Sequence, residues 1–146
     1  MTKLKPSPML NLQPLHLVRL DLIRPNEQHH PEHALMLADT ILREQRWRVP
    51  VTLERHSLAV MDGHHRLEAA RRLKLKLVPC LLLDYSQVEV SAWRQDSQDY
   101  LVTPQEIVRR SASGELYPPK TTRHRFPSPL PDCDISLSLL GLEGSL

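Results

Sequence analysis

The sequence predicts a small α+β domain, a mixed β-sheet with packed helices. Three observations carry that prediction. The apolar patterns fall in the order β-α-β-β-α-β followed by one further helix, which interleaves hairpin-type and crossover connections in one sheet. The run KLVPCLLLDY, Lys76 to Tyr85, reads as a strand apolar on both faces, as a strand in the interior of a sheet must be. The length of 146 residues suffices for one domain with a real core and is short for two.

Residues 1–13 are polar with two prolines and read as a loose arm, so the domain is expected over residues 14–126 and a Pro-rich tail over 127–146. Leu15 to Ile23 alternates as a strand, with His16, Val18, Leu20 and Leu22 on its inward side. Pro31-Glu32 opens a helix with proline in its first turn and an acid at the positive end of the dipole, and Ala34, Leu37, Ala38 and Ile41 form its apolar stripe to about Glu44. Val49 to Glu54 and Leu58 to Met61 read as two short strands joined by a tight turn at Arg55-His56-Ser57. A helix from His64 to Leu73 presents Leu67, Ala70 and Leu73 on one face, and the apolar strand with Pro79 near its start follows. Val88, Val90 and Trp93 mark a short strand or irregular return. Thr103-Pro104-Gln105-Glu106 is a capping box with proline at the first helical position, and Gly114 is the matching stop. Prolines 118, 119, 127, 129 and 131 predict no regular structure beyond Phe126, leaving the tail disordered or laid down as an extended strap with little part in the core.

Composition excludes several classes. Lys and Arg total 19 against 17 acidic residues, and a net charge of +2 supplies no broad electrostatic footprint for DNA or an anionic membrane. No stretch approaches the roughly 20 apolar residues of a membrane span, which predicts a cytoplasmic protein. Two cysteines, Cys80 in an apolar run and Cys133 in the tail, make neither a disulfide framework nor a zinc quartet. Neither a P-loop nor GxGxxG nor GxSxG occurs.

The chemistry concentrates at Met61-Asp62-Gly63-His64-His65-Arg66, where a strand ends and a helix begins. Such a turn aims the free N–H groups of the first helical turn, and the positive end of the dipole, at whatever lies beyond the strand. Gly63 permits close backbone approach, the next three residues supply donors, and Asp62 offers a carboxylate for a divalent metal or a hydroxyl proton. Asp-Gly is also an ordinary turn and Asp an ordinary helix cap, but a cap does not call for three nitrogenous side chains in succession. Two further polar patches stand out, Asn26-Glu27-Gln28-His29-His30 and Lys120-Thr121-Thr122-Arg123-His124. If the first lies at the same sheet edge as Asp62, Glu27 supplies a second carboxylate, and the third offers cations and hydroxyls for phosphate oxygens. Taken singly, Glu27 is equally a first-turn acid, the histidines and the basic segment are solvated, and Trp47 and Trp93 are core or rim aromatics.

The stretch MDGHHRLEAARRLKLKLVPCLLLDY resembles the ParB/sulfiredoxin superfamily. Together with Ile23-Arg24-Pro25-Asn26-Glu27 and Tyr117-Pro118-Pro119-Lys120-Thr121-Thr122-Arg123-His124 it is similar to the free L-serine kinases, ADP- or ATP-dependent enzymes that include siderophore-linked members. The resemblance runs from about Leu15 to His124. It implies a ParB/sulfiredoxin-like fold, nucleotide (ADP or ATP) and L-serine as ligands, Mg2+ as cofactor and O-phospho-L-serine as product. By the same resemblance Glu27 is the catalytic base, Asp62 is the second essential acid and metal ligand, and Trp93 lines the serine pocket. Gly63, His64, His65, Arg66, Lys120, Thr121, Thr122, Arg123 and His124 hold the nucleotide phosphates. Sulfiredoxin chemistry would need a cysteine in the phosphate turn, where this chain has His64 and His65. A ParB-type partition protein would need a helix-turn-helix after the nucleotide domain, where this chain has one helix and then prolines. A non-catalytic ParB-like module binding nucleotide or DNA is the alternative.

Overall fold

The computed structural model describes residues 15–93 and 100–142; the arm expected over residues 1–13 lies outside them. Among the described residues no helix is long and apolar enough to cross a membrane. The main sheet has four strands, β1 (His16–Arg19), β3 (Val51–Glu54), β4 (Val60–Asp62) and β5 (Leu77–Leu83), in the order β1-β5-β3-β4. β5 runs antiparallel to β1 and parallel to β3, while β3 and β4 are antiparallel, so the sheet is mixed. Two small ribbons lie outside it: β2 (Arg46–Trp47) with β8 (Ile135–Ser136), and β6 (Glu89–Ala92) with β7 (Thr122–Arg125).

Helix α1 (Pro31–Glu44) buries Ala34, Ala38 and Ile41 and ends at Gln45 in the left-handed region. Helix α2 (His64–Arg72) buries Leu67, Ala69 and Ala70. Both helices contribute to one core with Trp47, Val51, Leu53, Val60, Val78 and Cys80. Helix α3 (Pro104–Ser113) forms as its capping box predicts: the Thr103 hydroxyl accepts from the Glu106 N–H at 3.1 Å, and Gly114 closes the helix at φ 84°. Its Arg110 lies over the ring of Tyr117 at 4.1 Å, so this helix anchors the start of the late basic segment.

Two expectations are corrected. The alternation from Leu15 to Ile23 does not make one strand, because a 3-10 turn at Leu20–Leu22 interrupts it. The turn rotates Leu22 out to 45% exposure and brings Ile23 into the core. Regular structure also continues past Phe126. β8 leads into a 3-10 turn, Leu137–Leu140, capped by Ser136 and closed by Gly141 at φ 87°. Leu137 and Leu140, three apart, share a face of that turn and are fully buried in the main core. The tail is tied by the Arg46–Asp134 ion pair at 2.7 Å and by the Cys133 N–H donating to the Arg48 carbonyl at 2.8 Å.

Candidate active site

Asp62 is the last residue of β4, and its neighbour Gly63 caps α2 at φ 116° with no side-chain cap bond. A Cβ on Gly63 would meet the Val51 methyl carbons at 3.1 Å, so conformation and space both require glycine here. Asp62 pairs with Thr52 across the sheet and does not serve as the helix cap, contrary to the plainer reading of Asp-Gly. Its carboxyl accepts from the Gly63 N–H. Lost hydration raises the Asp62 pKa above the usual carboxylate range, against the Gly63 N–H and the Arg66 charge, which lower it.

His64 and His65 are fixed by backbone donors from the first polar patch. The Asn26 N–H donates to His64 Nε2 at 3.2 Å, and the His30 N–H donates to His65 Nε2 at 3.0 Å. Burial pushes His64 down to about 3 and His65 to about 4, where neighbouring histidines and Lys120 add to the effect. A neutral imidazole that accepts at Nε2 carries its proton on Nδ1, so each ring is a donor through Nδ1. The histidines at 29, 30 and 33 gather around the His65 ring, with His33 at a centroid distance of 4.3 Å.

Glu27 reaches this turn because the chain after the 3-10 turn runs along the outer edge of β4. The Arg24 N–H donates to the Leu58 carbonyl and the Val60 N–H to the Arg24 carbonyl, each at 3.0 Å. Asn26, fully buried, donates through Nδ2 to the Val60 carbonyl at 2.8 Å. Beyond it the backbone bridges to Tyr117: the Tyr117 N–H donates to the Asn26 carbonyl and the Gln28 N–H to the Tyr117 carbonyl. The Glu27 carboxylate then receives the late segment. Oε1 accepts from the N–H and hydroxyl of Thr122, both at 2.9 Å, and Oε2 accepts from the Lys120 N–H at 3.1 Å. Desolvation raises the Glu27 pKa in spite of these donors.

The late segment also contacts β6 and β5. The Trp93 N–H donates to the Thr121 carbonyl at 3.0 Å, and the Arg123 guanidinium lies over the Trp93 ring at 4.9 Å. His124 Nε2 and the Tyr85 hydroxyl are 2.7 Å apart, and burial lowers the His124 pKa to about 4. A cavity of about 340 Å³ gathers these parts, lined by Glu27, Asp62, Gly63, His64, His65, Arg66, Trp93, Lys120, Thr122, Arg123 and His124. Thr121 reaches the site only through its backbone, whose N–H donates to Glu27: its hydroxyl donates to the Pro118 carbonyl at 2.7 Å, and it does not line the cavity. Sequence reasoning missed Tyr85, whose contact with His124 no pattern marks. It also did not single out Asn26 as the anchor of Glu27, or His33, Leu37 and Met61 as cavity wall. A larger cavity of about 1100 Å³, between the Leu20–Leu22 turn, Arg71 and the end of α3, contains neither acid.

A free serine kinase solved in complex with AMP superposes with a TM-score of 0.76 over 86% of this chain and 93% of its own, at 16% identity. The chain has the fold of a free serine kinase. The same kinase, with one glutamate replaced by alanine, is solved with ADP at the same TM-score of 0.76. C-terminally truncated SbnI from Staphylococcus aureus superposes at 0.74 over 88% of this chain and 90% of its own, at 17% identity. In sequence, a ParB-like protein of Sulfolobus acidocaldarius is 32% identical over 71 residues, which are 47% of this chain. The match spans about a third of that relative, 33% of its length. No protein-family model matches the chain.

Proposed function

We propose that the protein transfers the terminal phosphoryl group of ADP or ATP to the hydroxyl of free L-serine, giving O-phospho-L-serine. The observation that carries this reading is the convergence of two carboxyls of raised pKa, Glu27 and Asp62, on one cavity walled by the α2 N-terminus and a cationic strand. Nucleotide complexes of similarly folded kinases support it. Phosphoryl transfer asks a protein mainly for positioning and for charge around the phosphate, and these residues supply both.

Glu27 is the base. Donors from Lys120, Thr121 and Thr122 hold the Glu27 carboxylate in the cavity wall. The Glu27 carboxylate takes the serine proton as the hydroxyl oxygen forms its bond to the terminal phosphorus and the bond from phosphorus to the departing nucleotide oxygen breaks. The N–H groups at the start of α2, the Nδ1 protons of His64 and His65, and the cations Arg66, Lys120 and Arg123 hold the phosphate oxygens. His124 adds a donor or acceptor set by Tyr85, Thr122 holds Glu27 in place, and Trp93 lines the serine side. The donor set fits one Mg2+: Asp62 lines the cavity beside a phosphate cradle, and Mg2+ commonly takes one or two carboxylates with phosphate oxygens and water. Bound there, the ion would neutralise charge on the transferred phosphoryl group.

The test is incubation of the pure protein with L-serine, Mg2+ and ADP or ATP, followed by phosphorus NMR. A phosphoserine resonance that grows with time is the expected result. Nucleotide binding with no phosphoserine from either donor would replace the kinase by a non-catalytic nucleotide-binding module.

A further inference from the structure

Outside the candidate cavity, the tight turn between β3 and β4 meets the end of β5. Glu54 is the last residue of β3, in register with Leu83, and Asp84 is the next residue after β5. His56 stands in the turn. The ligand atoms of Glu54, His56 and Asp84 all lie within 4.8 Å of one another, and among the described residues this is the tightest grouping of such side chains. None of the three lines the candidate cavity.

Turn capping accounts for only part of this arrangement. Glu54 Oε1 accepts from the N–H groups of His56 and Ser57 and from the Ser57 hydroxyl at 2.7–3.1 Å, which completes the cap. Every one of those bonds lands on Oε1, which leaves Oε2 open to a ligand. Asp84 is fixed in turn by the Ser86 N–H at 2.9 Å. Among the described residues no lysine or arginine forms an ion pair with either carboxylate. The adjacent Arg55 donates instead to the Leu82 carbonyl at 3.4 Å. A single ion between the two carboxylates would be held by both.

We propose that Glu54, His56 and Asp84 bind one divalent transition-metal ion of the zinc class, clasping the β3–β4 turn to the end of β5. One imidazole nitrogen with two carboxylate oxygens is a zinc-type donor set, whereas Mg2+ and Ca2+ prefer oxygen alone. Ligand bonds of about 2.0–2.2 Å require the three donors to close in slightly, and His56, exposed on its turn, has the freedom to do so. Three protein ligands leave a position for water. Asp84 is followed by Tyr85, whose hydroxyl holds His124, so the clasp sits one residue from a support of the candidate cavity.

The experiment is calorimetric titration of the chelator-stripped full chain with zinc chloride in excess Mg2+, beside the variants His56→Ala, Asp84→Asn and His33→Ala. One zinc per chain is expected, with affinity at least tenfold weaker in His56→Ala and Asp84→Asn and unchanged in His33→Ala. His56 is exposed and asparagine can still accept from Ser86, so both variants keep the fold, checked by circular dichroism. Absence of stoichiometric zinc binding overturns the proposal. So does binding that survives both clasp variants, or that is lost in His33→Ala, which would assign the ion to the histidines around His65. Zinc binding is read without turnover, so the result stands apart from the outcome of the serine assay.

Discussion

Glu27 carries two duties in one carboxylate, and they separate by substitution. In Glu27→Gln the amide oxygen keeps acceptor capacity while the NH2 group faces one of the donors now bonded to the carboxylate, so the late segment loses part of its hold and the base disappears. Turnover is expected to fall by roughly 10²–10⁴-fold, the usual worth of acid–base catalysis, with nucleotide KM changed only a few-fold. Steady-state kinetics with both nucleotides decide this, and near-normal turnover would place the base elsewhere. The raised pKa of Glu27 adds a direction: the base works when ionised, so kcat/KM falls as pH drops through a pKa above that of an ordinary glutamate. Glu27→Gln should abolish that acid limb in its residual rate. Asp62→Asn leaves the fold intact, since Gly63 and not Asp62 caps α2. It is expected to weaken Mg2+-nucleotide binding and turnover together, because it removes the negative charge beside the phosphate cradle; titration of Mg2+-ADP into the variant measures the first.

The elements divide by how they were written into the chain. Capped and periodic pieces were legible: Thr103 to Gly114 needed only its capping box and stop, and the strand-to-helix turn at Asp62-Gly63 needed only the change of apolar spacing. The join between Glu27 and the late segment was not, because most of its bonds come from backbone N–H donors more than 90 residues away, and no side-chain pattern records them. The C-terminal turn was hidden by its surroundings. Among five late prolines the pair Leu137 and Leu140 looked incidental, yet a spacing of three suits a 3-10 turn and both side chains reach the core. A chain ended after Pro127 therefore loses two fully buried leucines. Each Leu→Ala change in a core costs about 2–5 kcal/mol, a large part of a typical total of about 5–15 kcal/mol. Leu140→Ala should lower the unfolding free energy by an amount in that range, read as a lower urea midpoint with unchanged slope, and the truncated chain should unfold at markedly lower temperature. A truncation as stable as the full chain would mean that this turn contributes nothing to the core.

At the scale of the whole molecule, the cavity makes stability depend on pH through its histidines. His64 is held down to about 3, and His65 and His124 to about 4, so the folded protein keeps all three neutral where an unfolded chain, with histidines near 6.5, protonates them. Their contribution is complete above the unfolded value and is lost as pH falls from about 6.5 towards the folded values. One pKa unit corresponds to about 1.4 kcal/mol, so at pH 5 the deeply buried His64 and His124 can each cost up to about 2 kcal/mol, and the more exposed His65 less. The raised carboxyls Glu27 and Asp62 act in the opposite sense, since the folded state takes up their protons first, but that matters only nearer their own lower range. Between pH 7 and pH 5 the histidines decide the sign. Urea unfolding should therefore show a fall of several kcal/mol over that interval, made shallower by His124→Asn. A phosphate group in the cavity stabilises imidazolium beside it, so bound nucleotide should raise these pKa values and draw in protons. Calorimetry of nucleotide binding at pH 5.5 in buffers of different ionisation enthalpy would then read a net proton uptake. Stability flat from pH 7 to pH 5, or binding with no proton uptake, would show that the histidines do not face the anion.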